Sequence, residues 1–241
     1  MLKVNLTPCY ILHHHKYGET SLILDVLSRD YGRVNLIAKG AKKNKKQQGI
    51  SFDLYQKYLV SWILKTELGT LTSIESARSL LKIKPDKLLS GFYMNEIILR
   101  LLHKHEAHPE LFDAYESALN KLIEGDPEEK ILRYFEMALL KSLGYGLVLD
   151  YDVKTGESID GGNEYFYEFD HGPSTQSIQT KMACSISGRT LLELNSEQLS
   201  SSKQVHEAKK LLRSILSRYL GDKPLASRAL YDAYIKTRNI A

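Results

Sequence analysis

The chain has 241 residues, 43% of them apolar and 26% charged, which fits one or two folded domains and excludes a disordered or collagen-like chain. No apolar run approaches the roughly 18 residues that span a bilayer, and MLKVNLTPCY at the start lacks the apolar stretch of a signal peptide. Two widely spaced thiols, Cys9 and Cys184, fit a reducing cytoplasm and not a disulfide scaffold.

The net charge is +4, but it is unevenly spread. Residues 1–87 carry 15 Lys and Arg against 7 Asp and Glu, residues 88–202 carry 9 against 19, and residues 203–241 carry 9 against 3. A basic head, an acidic middle and a basic tail point to separate jobs. Basic segments attract polyanions, nucleic acid above all.

Five short β runs are predicted at about 10–14, 21–27, 33–39, 52–64 and 70–77, rich in β-branched and aromatic residues. The fourth alternates: Phe52, Leu54, Tyr58, Val60 and Trp62 share one face. Asp30, Tyr31 and Gly32 read as a turn. Five strands in this length predict an OB-fold, the five-stranded small barrel. Between the third and fourth strands, Lys39, Lys42, Lys43, Lys45 and Lys46 put five cations within eight residues. Such a loop is either a solvated turn that blocks edge pairing or a contact that follows a phosphate backbone without reading bases. Beside it, Arg33 is expected to be exposed, and Tyr17, Tyr31, Tyr55 and Tyr58 are candidates for stacking on bases. Phe52 and Trp62 fit barrel core better.

After Pro85 the period becomes helical. Met94, Ile97, Ile98, Leu101 and Leu102 mark one helix, Phe112, Tyr115, Leu119 and Leu122 a second from Pro109, and Asp126-Pro127-Glu128-Glu129 opens a third that ends at Gly144. Residues 147–184 read as short strands and turns, rich in Gly, Asp and aromatics. Helix returns from 202 to 220, with Val205, Ala208, Leu211, Leu212, Ile215, Leu216 and Tyr219 on the apolar side, and a last short helix follows Pro224.

No P-loop, GxSxG, HExxH or paired CxxC occurs, so no catalytic residues, cofactor or metal are assigned. The run His13-His14-His15 alternates across a strand, and His103, His105 and His108 scatter around a helix, so neither is expected to converge on an ion.

Four segments, YGETSLILDVLSRDYGRVNLIAKGAKK at 17–43, TELGTLTSIESA at 66–77, LGYGLVLDYDVKTG at 143–156 and GDKPLASRALY at 221–231, agree in order and spacing with the bacterial RecO family of recombination mediators. The chain resembles that family over nearly its whole length. The resemblance implies an α+β multidomain protein: an OB-fold barrel in residues 1–80, then a helical domain in 81–241 with a zinc-finger-like insertion at about 147–184. It implies a non-enzymatic protein of the cytoplasm and nucleoid. Such a protein binds single- and double-stranded DNA, anneals complementary strands and assists RecA loading in the RecF pathway. The implied partners are RecR and the acidic C-terminal tail of single-strand binding protein. One departure stands out: many relatives carry CxxC pairs in the insertion, but here Asp152 and Thr155 occupy the first pair's place, so the insertion is expected to hold its shape through packing alone, by Tyr165, Phe166, Tyr167 and Phe169.

The expected DNA-binding residues are Arg33, Lys39, Lys42, Lys43, Lys45 and Lys46. Cations beside apolar helix ridges (Arg100, Lys104, Lys121 and Arg133 in the bundle; Lys209, Lys210 and Arg213 in the basic helix) are the expected rim of a groove for the acidic tail. Two other readings stay open on the residues alone: a metal-independent nuclease using middle-region carboxylates, or an adaptor whose barrel binds only protein.

Overall fold

In the computed structural model, β1 (Leu2–Tyr17) is long enough to pair with two neighbours, β4 (Lys57–Leu64) along its first half and β2 (Ser21–Ser28) along its second. Strand β3 (Gly32–Ala38) pairs antiparallel with β2 and parallel with β5 (Leu68–Ser76). The order β1-β2-β3-β5-β4 closes a five-stranded barrel of the OB type. The structure describes residues 1–41, 52–77, 83–176 and 183–238.

The period of two fills the barrel. Leu24 and Val26 of β2, Val34 and Leu36 of β3, and Tyr58, Val60 and Trp62 of β4 all enter the core. Trp62 is wholly buried, and Phe52 and Leu54 pack against the core from the segment before β4. The turn into β3 depends on Gly32. Its φ is +64°, and a Cβ there would lie 1.8 Å from the Glu106 carbonyl oxygen, so glycine is needed for conformation and for space.

Two compact units are present: Met1–Glu124 with Leu225–Ala241, and Gly125–Pro224. In the first, helices α1 (Leu88–Leu101) and α2 (Pro109–Glu124) follow the barrel. Phe112 and Tyr115 of α2 meet the Tyr10 ring at 5.3 and 5.2 Å between centroids. Glu116 takes Lys57 Nζ at 2.7 Å, and Asn95 donates to the Leu12 carbonyl at 2.8 Å while accepting from Tyr115 OH at 2.6 Å. The Asn95 links are buried and fix α1 and α2 on the barrel, because each group would otherwise be left unpaired out of water, while the half-covered Lys57–Glu116 pair adds a contact nearer the surface. Helix α6 (Ala226–Arg238) packs on α1. Glu96 of α1 accepts from Ala226 N and Ser227 N, both at 2.8 Å, and from Ser227 Oγ at 2.6 Å, so a carboxylate caps the positive end of α6. Burial pushes the Glu96 carboxyl up, but these donors outweigh it and hold it below its ordinary value.

The second unit holds α3 (Glu128–Ser142), a three-stranded antiparallel sheet of β6 (Glu164–Glu168), β7 (Gly172–Ser174) and β8 (Cys184–Ser187), then α4 (Gly188–Asn195) and α5 (Ser202–Leu220). Helix α4 has no counterpart among the sequence expectations. Ser187 caps it by accepting from Thr190 N, and Glu207 of α5 accepts from Ser187 Oγ at 2.6 Å. In α5 the expected apolar side is buried, except that Tyr219 is only half-covered.

The insertion corrects the expectation of packing alone. Tyr165 and Tyr167 are buried, as that expectation has it, but the organising group is Asp152. Its Oδ1 accepts from Lys154 N at 2.9 Å and Thr155 N at 3.3 Å, and its Oδ2 from Thr175 N at 2.8 Å and Thr175 Oγ1 at 3.0 Å. A carboxylate thus ties the 152–156 turn to the segment after β7. Burial raises the Asp152 carboxyl, but the four donors pull it down to about 2.

Candidate nucleic-acid interface

The outward face of β1, β2 and β3 is built in rows by the strand register. His13 pairs with Asp25 and Asp25 with Asn35; His15 pairs with Ile23 and Ile23 with Ile37; Tyr17 pairs with Ser21 at the end of β2, and Lys39 directly follows β3. Side chains two apart share a face. Tyr17, 52% exposed, and Lys39, also exposed, therefore stand on the outward face at the same end of the sheet. Gly40, at φ +67°, follows Lys39 and precedes the lysine-rich stretch of sequence. Lys42, Lys43, Lys45 and Lys46 lie outside the described residues. Among the described residues the arrangement offers a flat aromatic ring, Tyr17, and a cation, Lys39, at one end of the barrel face, which suits a phosphate backbone with unpaired bases.

The opposite end of the same face is closed. Arg33 was expected at the surface; instead it is half-buried, and its Nη1 donates to the Leu99 carbonyl at the end of α1 at 2.5 Å. His105 N donates to the Arg33 carbonyl at 3.0 Å, so the α1–α2 connection lies along the start of β3. Burial lowers the Arg33 pKa, with Asp25 opposing. The guanidinium serves the protein's own helix end, where a cation is favoured by the carbonyl dipoles.

Three of the four candidate stacking rings are also engaged. Tyr58 is core, and its hydroxyl accepts from Asp53 N at 2.9 Å. Tyr31 packs edge-on against Trp62 at 5.3 Å. Tyr55 lies on Gly91 of α1, where a Cβ would come 2.7 Å from its ring. Tyr58 shares the alternating face of Trp62 and so follows the strand period into the core, whereas the cover over Tyr55 comes from a helix later in the chain, which strand alternation cannot reveal.

The cations expected around a tail-binding groove separate by unit. Arg100, Lys104 and Lys121 belong to the first unit, and Arg133, Lys209, Lys210 and Arg213 to the second. Arg133 is a correction. It is 5% exposed and donates to Glu136 Oε1 at 2.7 Å inside α3, so it faces a buried carboxylate and not solvent. In sequence, such an i, i+3 pair looks like an ordinary surface pair. Lys209, Lys210 and Arg213 are exposed on α5, with Lys209 3.5 Å from Glu129. Both cysteines are free and buried, and burial pushes the Cys9 thiol up to about 12, which makes it inert. Among the described residues, no helix is long and apolar enough to cross a membrane.

One further cluster lies on the barrel face. One ring nitrogen each of His13 and His15 and a carboxylate oxygen of Asp25 lie within 4.8 Å of one another. The sequence expectation weighed the histidines along a single strand; the third group comes from the neighbouring one.

Comparison with known proteins gives one consistent answer. The family profile "Recombination protein O N terminal" matches residues 1–80, and "Recombination protein O C terminal" matches residues 84–229. The chain is similar to proteins named DNA repair protein RecO. With that of Alkalilimnicola ehrlichii it shares 37% identity, covering 99% of this chain and 95% of the relative. With that of Nitrosococcus oceani the identity is 37%, over 100% and 98%. With that of Nitrosospira multiformis it is 38%, over 94% of each.

Proposed function

The chain belongs to the recombination protein O family, a family of DNA repair proteins, and from that premise we propose that it is a non-enzymatic mediator that binds DNA and anneals complementary strands. In this reading the barrel of residues 1–80 is the DNA-binding part and residues 81–241 the helical part with its insertion. The observation that carries it is the shared end of the barrel face held by Tyr17 and Lys39, within a chain whose first 87 residues carry 15 Lys and Arg against 7 Asp and Glu.

The physics is charge neutralisation. Two complementary strands repel through their phosphates. Lysines that displace counterions lower that repulsion and hold both strands close, so that pairing proceeds without a nucleotide. Cations position the backbone, and a ring supports unpaired bases without selecting a sequence. Loading of RecA, contact with RecR and residence in the cytoplasm at the nucleoid follow from the family as parts of the same proposal.

Recognition of the acidic tail of single-strand binding protein is assigned to exposed cations. Lys209, Lys210 and Arg213 on α5 are the best placed in the second unit, since Arg133 is internal. A tail peptide should bind in a salt-sensitive way, and Lys210→Glu or Arg213→Glu should weaken it while leaving DNA affinity unchanged.

The decisive experiment is an annealing assay with end-labelled complementary strands and the full chain, without nucleotide. Faster duplex formation with intact strands supports the reading. Strand cleavage would favour a nuclease, and absence of DNA binding would favour an adaptor.

A further inference from the structure

We propose that His13, His15 and Asp25 form a binding site for a divalent transition metal, zinc by the chemistry of the set, on the outward face of the barrel. The proposal stands on the backbone, the register and the surroundings of the carboxylate, and it is independent of the DNA-binding reading.

The backbone comes first. Before residue 12, Cys9 and Ile11 point into the barrel core. The register then shifts: Ile11 pairs with Val26, but His13 pairs with Asp25, so β1 advances two residues while β2 advances one. Leu12 is the extra residue of a bulge. With regular pairing, the odd-numbered residues would continue inward, and His13 and His15 would enter the apolar core. The bulge turns both outward, where they are exposed. A bulge that re-aims side chains is a device commonly found beside functional sites.

The register then brings the ligands together. His13 and His15 are two apart on one face, their rings 6.0 Å between centroids and inclined by only 29°. Asp25 is the direct cross-strand neighbour of His13, with Oδ2 at 3.8 Å from His13 Nδ1. Its other oxygen accepts from Asn35 Nδ2 at 2.5 Å. Asn35 therefore orients the carboxylate and leaves one oxygen for the histidines, as partners of metal-ligating carboxylates do.

Two imidazoles and one carboxylate are a borderline donor set that suits zinc and disfavours magnesium or calcium. Zinc bonds of about 2.0–2.2 Å require donors closer together than the 4.8 Å found here. The side chain of His13 is 57% exposed and Asp25 is only 17% exposed, so the rings can rotate to close on a fixed carboxylate. Three protein ligands leave the fourth tetrahedral position to water. The site is therefore distinct from the insertion, whose Asp152 is saturated by backbone and hydroxyl donors.

The test is calorimetric titration of zinc into chelator-treated full-length protein, with His13→Ala, His15→Ala, Asp25→Asn and His14→Ala variants. Circular dichroism verifies that each variant is folded. The expected result is one saturable site, weakened at least tenfold by His15→Ala and by Asp25→Asn and unchanged by His14→Ala, because residue 14 lies on the other strand face. His15→Ala alters only an exposed side chain and keeps the test valid if Asp25→Asn disturbs the fold. Absence of saturable binding, or binding that His13→Ala and His15→Ala leave within twofold, would overturn the proposal. So would an equal loss in His14→Ala, since adventitious capture by any surface histidine would then explain the signal.

Discussion

Replacing Asp152 by Asn tests whether a carboxylate holds the insertion together. Asn keeps one acceptor but places an amide NH2 where Oδ2 accepts from Thr175 N and Thr175 Oγ1, setting donor against donor. The native carboxyl sits at about 2 against an ordinary 3.8, and the residue is 3% exposed. A depression of that size corresponds to about 2.4 kcal/mol of stabilisation, and nearby solvent reduces the useful part to about 1–2 kcal/mol. Because the folded value is depressed, this stability is complete above about pH 4 and is lost as pH falls towards 2. Native-state hydrogen exchange of residues 150–176 in the full chain is the assay. At pH 7, Asp152→Asn should raise local opening about 5- to 30-fold. At pH 2–3, where the wild type is itself partly protonated, the difference should shrink. Unchanged protection at pH 7, or a difference just as large in acid, would refute the carboxylate's role.

Replacing Lys42, Lys43, Lys45 and Lys46 together by Ala should weaken single-strand binding and flatten the log–log salt slope by about 0.7 for each lysine that neutralises a phosphate; an unchanged slope would remove the loop from the interface. Arg133→Leu should cost about 3–5 kcal/mol by removing the cation that faces the buried Glu136 carboxylate, whereas the double change Arg133→Met with Glu136→Leu should be close to neutral in denaturant titration. Glu96→Gln should loosen the start of α6 at neutral pH, with exchange at residues 226–229 as the readout. The native contribution of Glu96 is present above its ordinary pH range and is lost as pH falls through its depressed folded value, so the wild type should approach the variant in acid.

Much of the architecture was legible because it rests on local periodicity. The alternation of Tyr58, Val60 and Trp62 marks a strand, and the spacing of Phe112, Tyr115, Leu119 and Leu122 marks a helix, whatever lies around them. Gly32 was legible as a turn, though not as the seat of the Glu106 carbonyl. The losses have one physical origin, contacts between residues distant in sequence. Arg33 reads as a groove cation until Leu99 takes it, and Tyr55 reads as a free ring until Gly91 receives it. The turn of His13 and His15 to the outer face depends on a bulge that no residue type announces. Helix α4 was missed because only eight residues follow its Ser187 cap, too few for a periodic signal.

The clasp of α6 on α1 makes the chain's route through its own fold a matter of timing. The first unit is completed only by residues beyond 224, so in sequence the second unit interrupts it. A ribosome releases segments in order. The barrel, α1 and the whole of the second unit emerge before the segment whose first amides Glu96 receives. Until then Glu96 has water for a partner, and the side of α1 that α6 covers is open to whatever the nascent chain meets. A polypeptide halted anywhere between 125 and 224 would therefore carry all five barrel strands but an α1 without its brace. Completion of the first unit would thus be tied to translation of the whole second unit.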